Sequence, residues 1–562
     1  MSSPCLIAPN RAWVFYFEEK RSAIKRFSYI LINLPGGFIF RELIMKKFLF
    51  VLASAGFLAG CSRPDPVSGN KQLIYMIAAA PVSLDPAETN ELVYYQIVFN
   101  IFETLITVNW RTGAFEPALA THWRYDSSQV RWTFNLRRNA FFHDGSPLNA
   151  GAVKISFERQ IVAEGTDKKT GLYGRQAFAM IREIRAVNDS TVQFLLKYPH
   201  AAFLDHLASP YYSTIASQRG LETHAENFGR RPVGTGPFEF VRWDTAGQIV
   251  LKKFSQYWGQ RPHLDSVIYK VVESVDEKIK ALRRGQADVI SGLSAASVSQ
   301  FYSDTSFRIV EETMLATAIL GMKLRQPPFT NAAMRQAVAH AIDKNYLAVN
   351  VSRNLAIPAH GPLSPLLAFY DSTLVVPEYD TVRAKILLQQ AGAIGRLPVK
   401  LAYCVDTDNR RGAPLVQTIK HNLQAIGMQT EILPCPNWQK YEAGVLHGAA
   451  AELFIWASLS FTRHPGDFLY SLFYSKSPNN FFDYKNSEVD RLLEQAQRTV
   501  DFTAQRRLYR RVQEIVLQET PAVFFNHPKV VYATRSWVKN FSTDPLGIPQ
   551  LKEVTLNRFH ND

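Results

Sequence analysis

The stretch FHDGSPLNAGAVKISFE, residues 142–158, combines a tight turn with the start of a helix. His143-Asp144-Gly145 is a turn signal, because glycine readily adopts the left-handed backbone that such turns need. Asn149 is a candidate N-cap, since its side chain can accept a hydrogen bond from a free N–H group of the first helical turn. The sequence therefore predicts a turn that is followed by a helix running through Phe157.

Strand and helix patterns alternate on both sides of this stretch. Residues 132–137 alternate between apolar and polar side chains, as a half-buried strand does, and residues 92–106 have the apolar period of a helix. Further helices are predicted at 274–284, 331–343, 381–391, 487–497 and 503–517, and further strands at 72–78, 287–290, 521–526 and 530–533. Strands and helices that interleave in this way predict an α/β fold.

The composition is that of a globular protein with net positive charge. The chain has 562 residues, 47% of them hydrophobic and 20% charged, and a formal net charge of +14. A core of this size is expected to divide over two or more domains. The chain contains no dense block of Lys and Arg, so the charge is interpreted as solvated surface charge and no nucleic-acid partner is predicted.

Residues 45–60 have the three parts of a bacterial signal peptide. Lys46 and Lys47 form a positive start, and residues 48–58 are apolar but too short, at about 1.5 Å per residue, to span about 30 Å of hydrocarbon. Leu58-Ala59-Gly60-Cys61 then resembles the lipobox, in which the cysteine receives a lipid. The sequence predicts removal of residues 1–60, lipidation of Cys61 and an extracytoplasmic or periplasmic protein that is lipid-anchored to a cell membrane.

The segments that flank this signal need separate interpretations. Residues 1–44 are interpreted as a start site assigned too far upstream, and a genuine cytoplasmic or membrane-lying arm is the alternative. Residues 61–71 form a polar tether that contains Pro64 and Pro66. Ser62 follows the lipidated position, and both inner-membrane and outer-membrane anchoring stay open.

Two cysteines remain once the N-terminal ones are set aside. Residues 399–403 and 430–433 are strand-like, and a helix-like segment, 415–426, lies between them. This βαβ unit brings Cys404 and Cys435, at the strand ends, towards each other. In an oxidising compartment a disulfide is predicted there, with two buried free thiols as an equal alternative.

The sequence contains none of the common catalytic or metal-binding motifs. His464, close to Asp467, is the nearest approach to an acid–base pair and is interpreted as a loop histidine. His200 and His206 lie near aromatic residues and are interpreted as surface or core histidines. We therefore predict no enzyme activity, no metal and no cofactor.

The stretch 142–158 resembles the signature of the family 5 extracellular solute-binding proteins, the oligopeptide and dipeptide receptors of ABC importers. Other segments match the family in the same order. They are Pro81 with Leu84-Asp85-Pro86, Phe102-Glu103-Thr104-Leu105, Glu116-Pro117-Ala118-Leu119-Ala120 with Trp123, Val233-Gly234-Thr235-Gly236-Pro237-Phe238, Gly285-Gln286-Ala287-Asp288, Arg335-Gln336-Ala337 with Ala341-Ile342-Asp343-Lys344, and Tyr484 with Val489-Asp490. The resemblance covers about residues 71 to 560.

This resemblance implies a two-lobed periplasmic-binding-protein fold of the class II type, with the ligand held between lobes. Lobe I would comprise residues 72–314, with an inserted subdomain at about 103–200. Lobe II would comprise 315–522, and residues 523–562 would return to lobe I. Ligand binding would favour a hinged closure that presents both lobes to the permease.

The function implied by the resemblance is that of a monomeric lipoprotein receptor. It would capture a peptide or peptide-like solute and deliver it to the membrane subunits of an ABC permease. Two alternatives stay open at this point. The same fold could bind a nickel chelate, haem or an opine-like compound, or the protein could be an envelope lipoprotein without a transport role.

The resemblance also implies a set of ligand-binding residues. In peptide-binding members a Trp-x-x-Asp segment supplies a carboxylate for the peptide's α-ammonium group. The matching segment here keeps Trp456 but places Leu459 at the carboxylate position. Such a charge-assisted bond contributes about 1.5–3 kcal/mol, so its loss should change ligand choice. Core packing is the alternative role for Trp456.

Other candidate binding residues lie in three segments. Arg410 and Arg411 are candidates for holding the other end of the ligand, with solvated surface charge as the alternative, and Asn409 stands where an oligopeptide binder would place a histidine. Asn90 lies near the family's N-terminal ligand loop. The Gly-rich loop contributes its three central residues, Gly234, Thr235 and Gly236.

Overall fold

Strands and helices interleave along the chain, as the sequence predicts. The computed structural model describes residues 71–88, 92–161, 172–392, 398–405 and 412–558. The strands are β1 (Gln72–Ile77), β2 (Ile106–Val108), β3 (Phe115–Pro117), β4 (Ala120–Tyr125), β5 (Arg131–Leu136), β6 (Ile181–Asn188), β7 (Thr191–Leu196), β8 (Phe238–Trp243), β9 (Ile249–Lys253), β10 (Ser266–Val271), β11 (Val289–Ser291), β12 (Phe307–Thr313), β13 (Ala316–Met322), β14 (Ala356–Pro358), β15 (Val399–Cys404), β16 (Thr430–Cys435), β17 (Leu453–Leu459), β18 (Ala522–Arg535), β19 (Val538–Lys539), β20 (Ser542–Thr543), β21 (Pro549–Gln550) and β22 (Thr555–Leu556).

The helices vary from one turn to five. They are α1 (Leu92–Val98), α2 (Ala150–Ile161), α3 (Leu172–Ala177), α4 (Phe203–Ala208), α5 (Pro210–Ser213), α6 (Gln218–His224), α7 (Val275–Arg283), α8 (Ala295–Val298), α9 (Ala332–Ala341), α10 (Lys344–Tyr346), α11 (Thr381–Gln390), α12 (Gly412–Ala425), α13 (Trp438–Tyr441), α14 (Pro465–Phe473), α15 (Ser487–Arg498) and α16 (Phe502–Glu519). The predicted helices at 274–284, 331–343, 381–391, 487–497 and 503–517 correspond to α7, α9, α11, α15 and α16.

Polar side chains fix where these helices begin. Asn149 Oδ1 accepts the backbone N–H of Ala152 over 2.8 Å, which confirms the predicted cap of α2. Gly145 has a φ of +78°, so the turn before α2 uses the left-handed backbone that favours glycine. The other predicted helices are capped in the same way by the side chains of Ser274, Asn331, Asp380, Asn486 and Asp501.

One large sheet joins strands from both halves of the chain. Within the described residues it contains twelve strands, in the order β16-β15-β17-β13-β18-β11-β1-β10-β9-β8, with β12 and β14 also paired to β18. Strand β18 joins the two halves: residues 522–526 pair with β13, and residues 529–535 pair with β12. The predicted boundary at 314–315 falls between β12 and β13, at the same crossing, and the domain boundaries stay predictions.

Strand β18 replaces the two separate strands that were predicted at 521–526 and 530–533. Pro528 interrupts the sequence pattern, because proline has no N–H to donate. Its carbonyl oxygen nevertheless accepts the N–H of Met314 over 3.0 Å, and Pro528 pairs with Ala356 of β14. The chain therefore continues through the proline as one strand.

A second sheet has four strands, β4 to β7. Its order is β4-β5-β7-β6, and all neighbours are antiparallel. The predicted strand at 132–137 is β5. Helix α2 packs on this sheet through Phe157, whose ring centroid lies 5.0 Å from that of Phe194 on β7 and 5.0 Å from that of Phe178. This sheet and α2 lie within the region proposed as the inserted subdomain.

The helix predicted over residues 92–106 is too long, since α1 ends at Val98. The carbonyl oxygen of Ile101 accepts the N–H of Gly236, and that of Asn100 accepts the N–H of Phe238. These long-range bonds replace helical ones, so the chain turns at this point and enters β2. The apolar period of the segment reflects its burial rather than a continuous helix.

Candidate functional site

The Trp-x-x-Leu segment occupies the C-terminal end of β17. Leu459 lies opposite Ala316 of β13, and Trp456 lies opposite Ile319. Because successive side chains of a strand alternate between faces, Trp456 and Leu459 leave β17 on opposite sides. The ring of Trp456 packs edge-on against Phe481, with centroids 4.8 Å apart, and this contact favours the packing role for the tryptophan.

An aromatic cluster lies directly beyond Leu459. The ring centroid of Phe461 lies 4.5 Å from that of Tyr211 on α5, and that of Tyr211 lies 3.9 Å from that of Tyr95 on α1. Phe99 and Tyr212 complete this cluster, which we call the interlobe aromatic cluster. With the lobe boundary predicted near residue 315, it draws on lobe I through α1 and α5 and on lobe II through Phe461. Aromatic side chains at a domain interface are typical of sites for small ligands.

The polar groups around the cluster are mostly committed to internal bonds. Ser209 Oγ donates to the carbonyl oxygen of Phe461 over 2.6 Å, and the hydroxyl of Tyr211 donates to the carbonyl oxygen of Leu546 over 3.2 Å. These bonds orient the rings. The rings of Tyr95, Tyr211 and Tyr212 are themselves buried.

A carboxyl group stands close to the strand end at Leu459. Leu315 accepts the N–H of Ser460 over 2.7 Å and donates to the carbonyl oxygen of Pro545 over 3.0 Å. Asp544, which precedes Pro545, is half-buried, and burial raises its pKa to about 7. Its Oδ1 accepts two backbone N–H groups of its own hairpin. The carboxyl group thus holds a turn, and no motif in the sequence indicates that it lies here.

The Gly-rich loop is buried. A Cβ on Gly234 would lie 2.1 Å from the carbonyl oxygen of Ile101, and one on Gly236 would lie 2.7 Å from that of Asn100. The hydroxyl of Thr235 donates to Glu103 over 2.9 Å. Close approach of two backbones explains both glycines. These contacts support a packing role for the loop, and its predicted ligand contact stays a prediction.

Glu103 is the centre of that packing. Besides Thr235 it accepts the hydroxyl of Tyr257 and the indole N–H of Trp258, each over 2.8 Å. Burial raises the pKa of Glu103, and its three donors oppose that rise. A carboxyl group with this many donors is a structural anchor for the loop.

Several predicted site residues fall outside the described part of the chain. They are Asn90, Asn409, Arg410, Arg411 and the lipidation candidate Cys61. Their roles stay predictions.

The predicted disulfide is absent, and the alternative of two buried free thiols is the one observed. Cys404 and Cys435 lie opposite each other on the parallel strands β15 and β16, so the predicted βαβ unit is confirmed. Both side chains are buried. Burial raises the pKa of the Cys435 thiol, and Cys404 adds to that rise. The protonated thiol is the less reactive form, since exchange requires the thiolate.

The structure gives Asp467 a different histidine partner from the one suggested by sequence. His206 Nε2 lies 2.8 Å from Asp467 Oδ1, although the two residues are far apart in the chain. His464 instead caps α14, because its Nδ1 accepts the N–H of Gly466 over 3.1 Å. No local pattern signals a pair of this kind. Among the described residues no group of His, Cys, Asp and Glu is arranged to hold a metal ion.

The sequence profile of the bacterial extracellular solute-binding proteins, family 5 middle region, matches residues 114–480. The chain belongs to this family. Its relatives include a dipeptide-binding protein of Escherichia coli strain K12, which is 25% identical over 86% of this chain and 95% of the relative. A glutathione-binding protein of Pectobacterium atrosepticum is 27% identical over 88% of this chain and 96% of the relative.

Solved structures agree with the two-lobed fold. A periplasmic binding protein of Helicobacter pylori, associated with an ABC transporter and solved with the peptide STSA, has a TM-score of 0.75 and 27% identity, covering 87% of this chain and 98% of that one. A dipeptide-binding protein of Pseudoalteromonas, solved with Met-Leu, has a TM-score of 0.76 and 22% identity, covering 86% of this chain and all of that one. Within the described residues, no helix has the length and apolar character needed to cross a membrane.

Proposed function

We propose that this member of the solute-binding family captures a peptide or peptide-like solute between its lobes and delivers it to the membrane subunits of an ABC permease. The observation that carries the proposal is the interlobe aromatic cluster, in which Tyr95 and Tyr211 of lobe I meet Phe461 of lobe II beside Leu459. Several relatives and solved neighbours are named for binding peptides or glutathione, which supports the same class of solute.

The preferred solute lacks a free α-ammonium group at the Leu459 end or carries net negative charge. Leu459 is an apolar, half-buried side chain at the position where peptide-binding members place a carboxylate. An ammonium group buried against it would be unpaired, which is costly. N-blocked peptides, longer peptides held through their backbone and acidic conjugates all fit this site.

The receptor acts as a monomer outside the cytoplasm, held to a membrane by the lipid on Cys61. The polar tether at 61–71 separates that lipid from β1, which starts at Gln72. A tether of this kind leaves the lobes free to close and to meet the permease.

Native mass spectrometry of gently purified protein tests the proposal. We expect a bound species with the mass of a peptide or peptide conjugate, released when the protein is unfolded. Protein that was unfolded, dialysed and refolded serves as the control, because it should bind that species again when it is added back. The proposal would be contradicted if the protein retained no such species and bound no member of a peptide library.

A further inference from the structure

Two segments from opposite lobes meet beside the interlobe aromatic cluster. The N–H of Ala201 donates to the carbonyl oxygen of Gln497 over 2.9 Å. His206 on α4 and Asp467 on α14 form the second link, at 2.8 Å. With the lobe boundary proposed near residue 315, both links join lobe I to lobe II. A hinged opening that separates these segments would break both links.

His206 is shielded from water, and its partner is half-buried. His206 is 3% exposed, the side chain of Asp467 is 23% exposed, and the carboxylate of Asp467 receives a second hydrogen bond, from Thr462 Oγ1 over 2.6 Å. An ion pair in such surroundings is strong only if both members are charged, since a buried unpaired charge is costly. The pair therefore depends on whether His206 carries a proton.

Other titratable or polar groups surround the pair on every side. They are His200 in the loop before α4, Asp205 on α4, Tyr212 on α5, Arg463 and His464 before α14, and Gln505 and Tyr509 on α16. His200 and His464 are buried, and Asp205 is half-buried. Three histidines and two carboxyl groups from both lobes thus share one site at the closing surface.

We propose that closure of the lobes is coupled to protonation of His206, so that the receptor holds its solute most tightly near pH 6.5 and less tightly as the pH rises. The solute-binding half of this statement rests on the proposed function. The coupling between protons and lobe closure does not, because the His206–Asp467 link joins the lobes whichever solute lies between them.

The direction of the effect above pH 6.5 follows from His206. Burial alone lowers the pKa of His206, but the charge of Asp467 and the hydrogen bond to it outweigh burial and raise the pKa. A group whose pKa is higher in the closed form takes up a proton on closure. It stabilises the closed form fully below its open-form value, and this contribution is lost as the pH rises through the raised value.

The titratable groups around His206 determine how lobe closure depends on pH below 6.5. Burial lowers the pKa of His200 to about 3 and that of His464 to about 4, so closure releases protons from both as the pH falls below 6.5. Burial raises the pKa of Asp205 to about 7, so closure adds a proton to Asp205, and this uptake offsets one of the two protons that the histidines release. Closure is therefore disfavoured on the acidic side as well, which places the optimum near pH 6.5.

Small-angle X-ray scattering of the solute-free protein tests the coupling directly. We expect the radius of gyration to increase from pH 6.5 to pH 8.5 in the wild type, and to show no such increase in His206→Gln or Asp467→Asn. His263→Gln, an exposed histidine of lobe I, is the matched control and should behave as the wild type. Circular dichroism checks that each variant is folded.

Calorimetry with N-acetylated Ser-Thr-Ser-Ala supplies a second measurement. A single coupled proton changes Kd by at most about tenfold per pH unit, so we expect Kd to rise roughly three- to tenfold between pH 6.5 and 8.5 in the wild type alone. A radius of gyration that is the same at both pH values in the wild type would overturn the inference. If the peptide does not bind but the scattering changes as expected, the proposed function fails for this solute and the coupling stands.

Discussion

The backbone N–H of His143 donates a hydrogen bond to the carbonyl oxygen of Gly234 over 2.9 Å, and the His143 imidazole Nε2 lies 3.0 Å from the carbonyl oxygen of Gly236. The turn that opens the family signature therefore rests on the Gly-rich loop. Burial lowers the pKa of His143 to about 4, so the ring stays neutral at physiological pH. Two of the motifs that mark the family are thus parts of one buried contact in lobe I.

Substitution of Gly234 should destabilise lobe I severely. The Cβ of Gly234→Ala would meet the carbonyl oxygen of Ile101 at 2.1 Å. A shift of Gly234 would break its bond with His143, and a shift of Ile101 would break its bond with Gly236. We expect a loss of about 3 kcal/mol or more in the free energy of unfolding. The matched control is Gly444→Ala, where a Cβ would meet only Ala450 at 3.9 Å.

Chemical denaturation of both variants checks this prediction. The control should unfold within about 1 kcal/mol of the wild type. Equal stabilities for the two variants would show that the Gly-rich loop can relax away from Ile101, which would restore the loop as a candidate for ligand contact.

Local structure was predictable wherever the signal was local. The cap at Asn149 and the βαβ unit around Cys404 and Cys435 depend on neighbouring residues or on strong periodicity, and both are confirmed. The helix predicted through Ile106 failed because bonds from Gly236 and Phe238, distant in sequence, bend the chain after Val98. Tertiary hydrogen bonds of this kind leave no trace in the apolar period.

The candidate site was less predictable than the fold. Resemblance located Trp456 and Leu459 on one segment, but it could not show that strand alternation sends them to opposite faces of β17. It also missed the contacts of Tyr211 with Phe461 and of His206 with Asp467, which join residues far apart in the sequence. Residues that act only across a domain interface have no spacing rule, and the fold alone brings them together.

Both remaining cysteines should be free thiols that resist reagents in the native protein. Cys404 and Cys435 are buried, and the pKa of the Cys435 thiol is raised, so the reactive thiolate is scarce. We expect slow alkylation of the folded protein and alkylation at both positions after unfolding without reductant. Peptide mapping by mass spectrometry measures both.

A sample reduced before unfolding is the control for this labelling. If the unreduced sample shows no alkylation at either position while the reduced one shows both, the two sulfur atoms are bridged. In that case the oxidised form would be the physiological one, because the strands already hold the residues opposite each other.

Loss of the lipidated cysteine should release the protein from membranes without unfolding it. Cys61 precedes a polar, Pro-containing tether, so we expect Cys61→Ser to remove the anchor without disturbing the fold. We expect the variant in the soluble fraction with a wild-type melting temperature. Ser62→Ala is the control and should stay with the membrane. An intact mass that shows unmodified Cys61 in the membrane-extracted wild type would contradict the prediction.

The mutation Leu459→Asp should raise the affinity for peptides with a free α-ammonium group. Leu459 is half-buried at the end of β17, so a carboxylate there would be partly desolvated and would pair strongly with an ammonium group. A gain of about 1.5–3 kcal/mol corresponds to roughly 10- to 100-fold in Kd. Leu459→Asn is the control, since it has the same shape as aspartate without the charge. Calorimetry compares Ser-Thr-Ser-Ala with its N-acetylated form in each protein, and only Leu459→Asp should prefer the free peptide. Tight binding of the free peptide by the unmutated protein, with loss on acetylation, would show that another carboxyl group receives the ammonium, and Asp544 would then be the first residue to change.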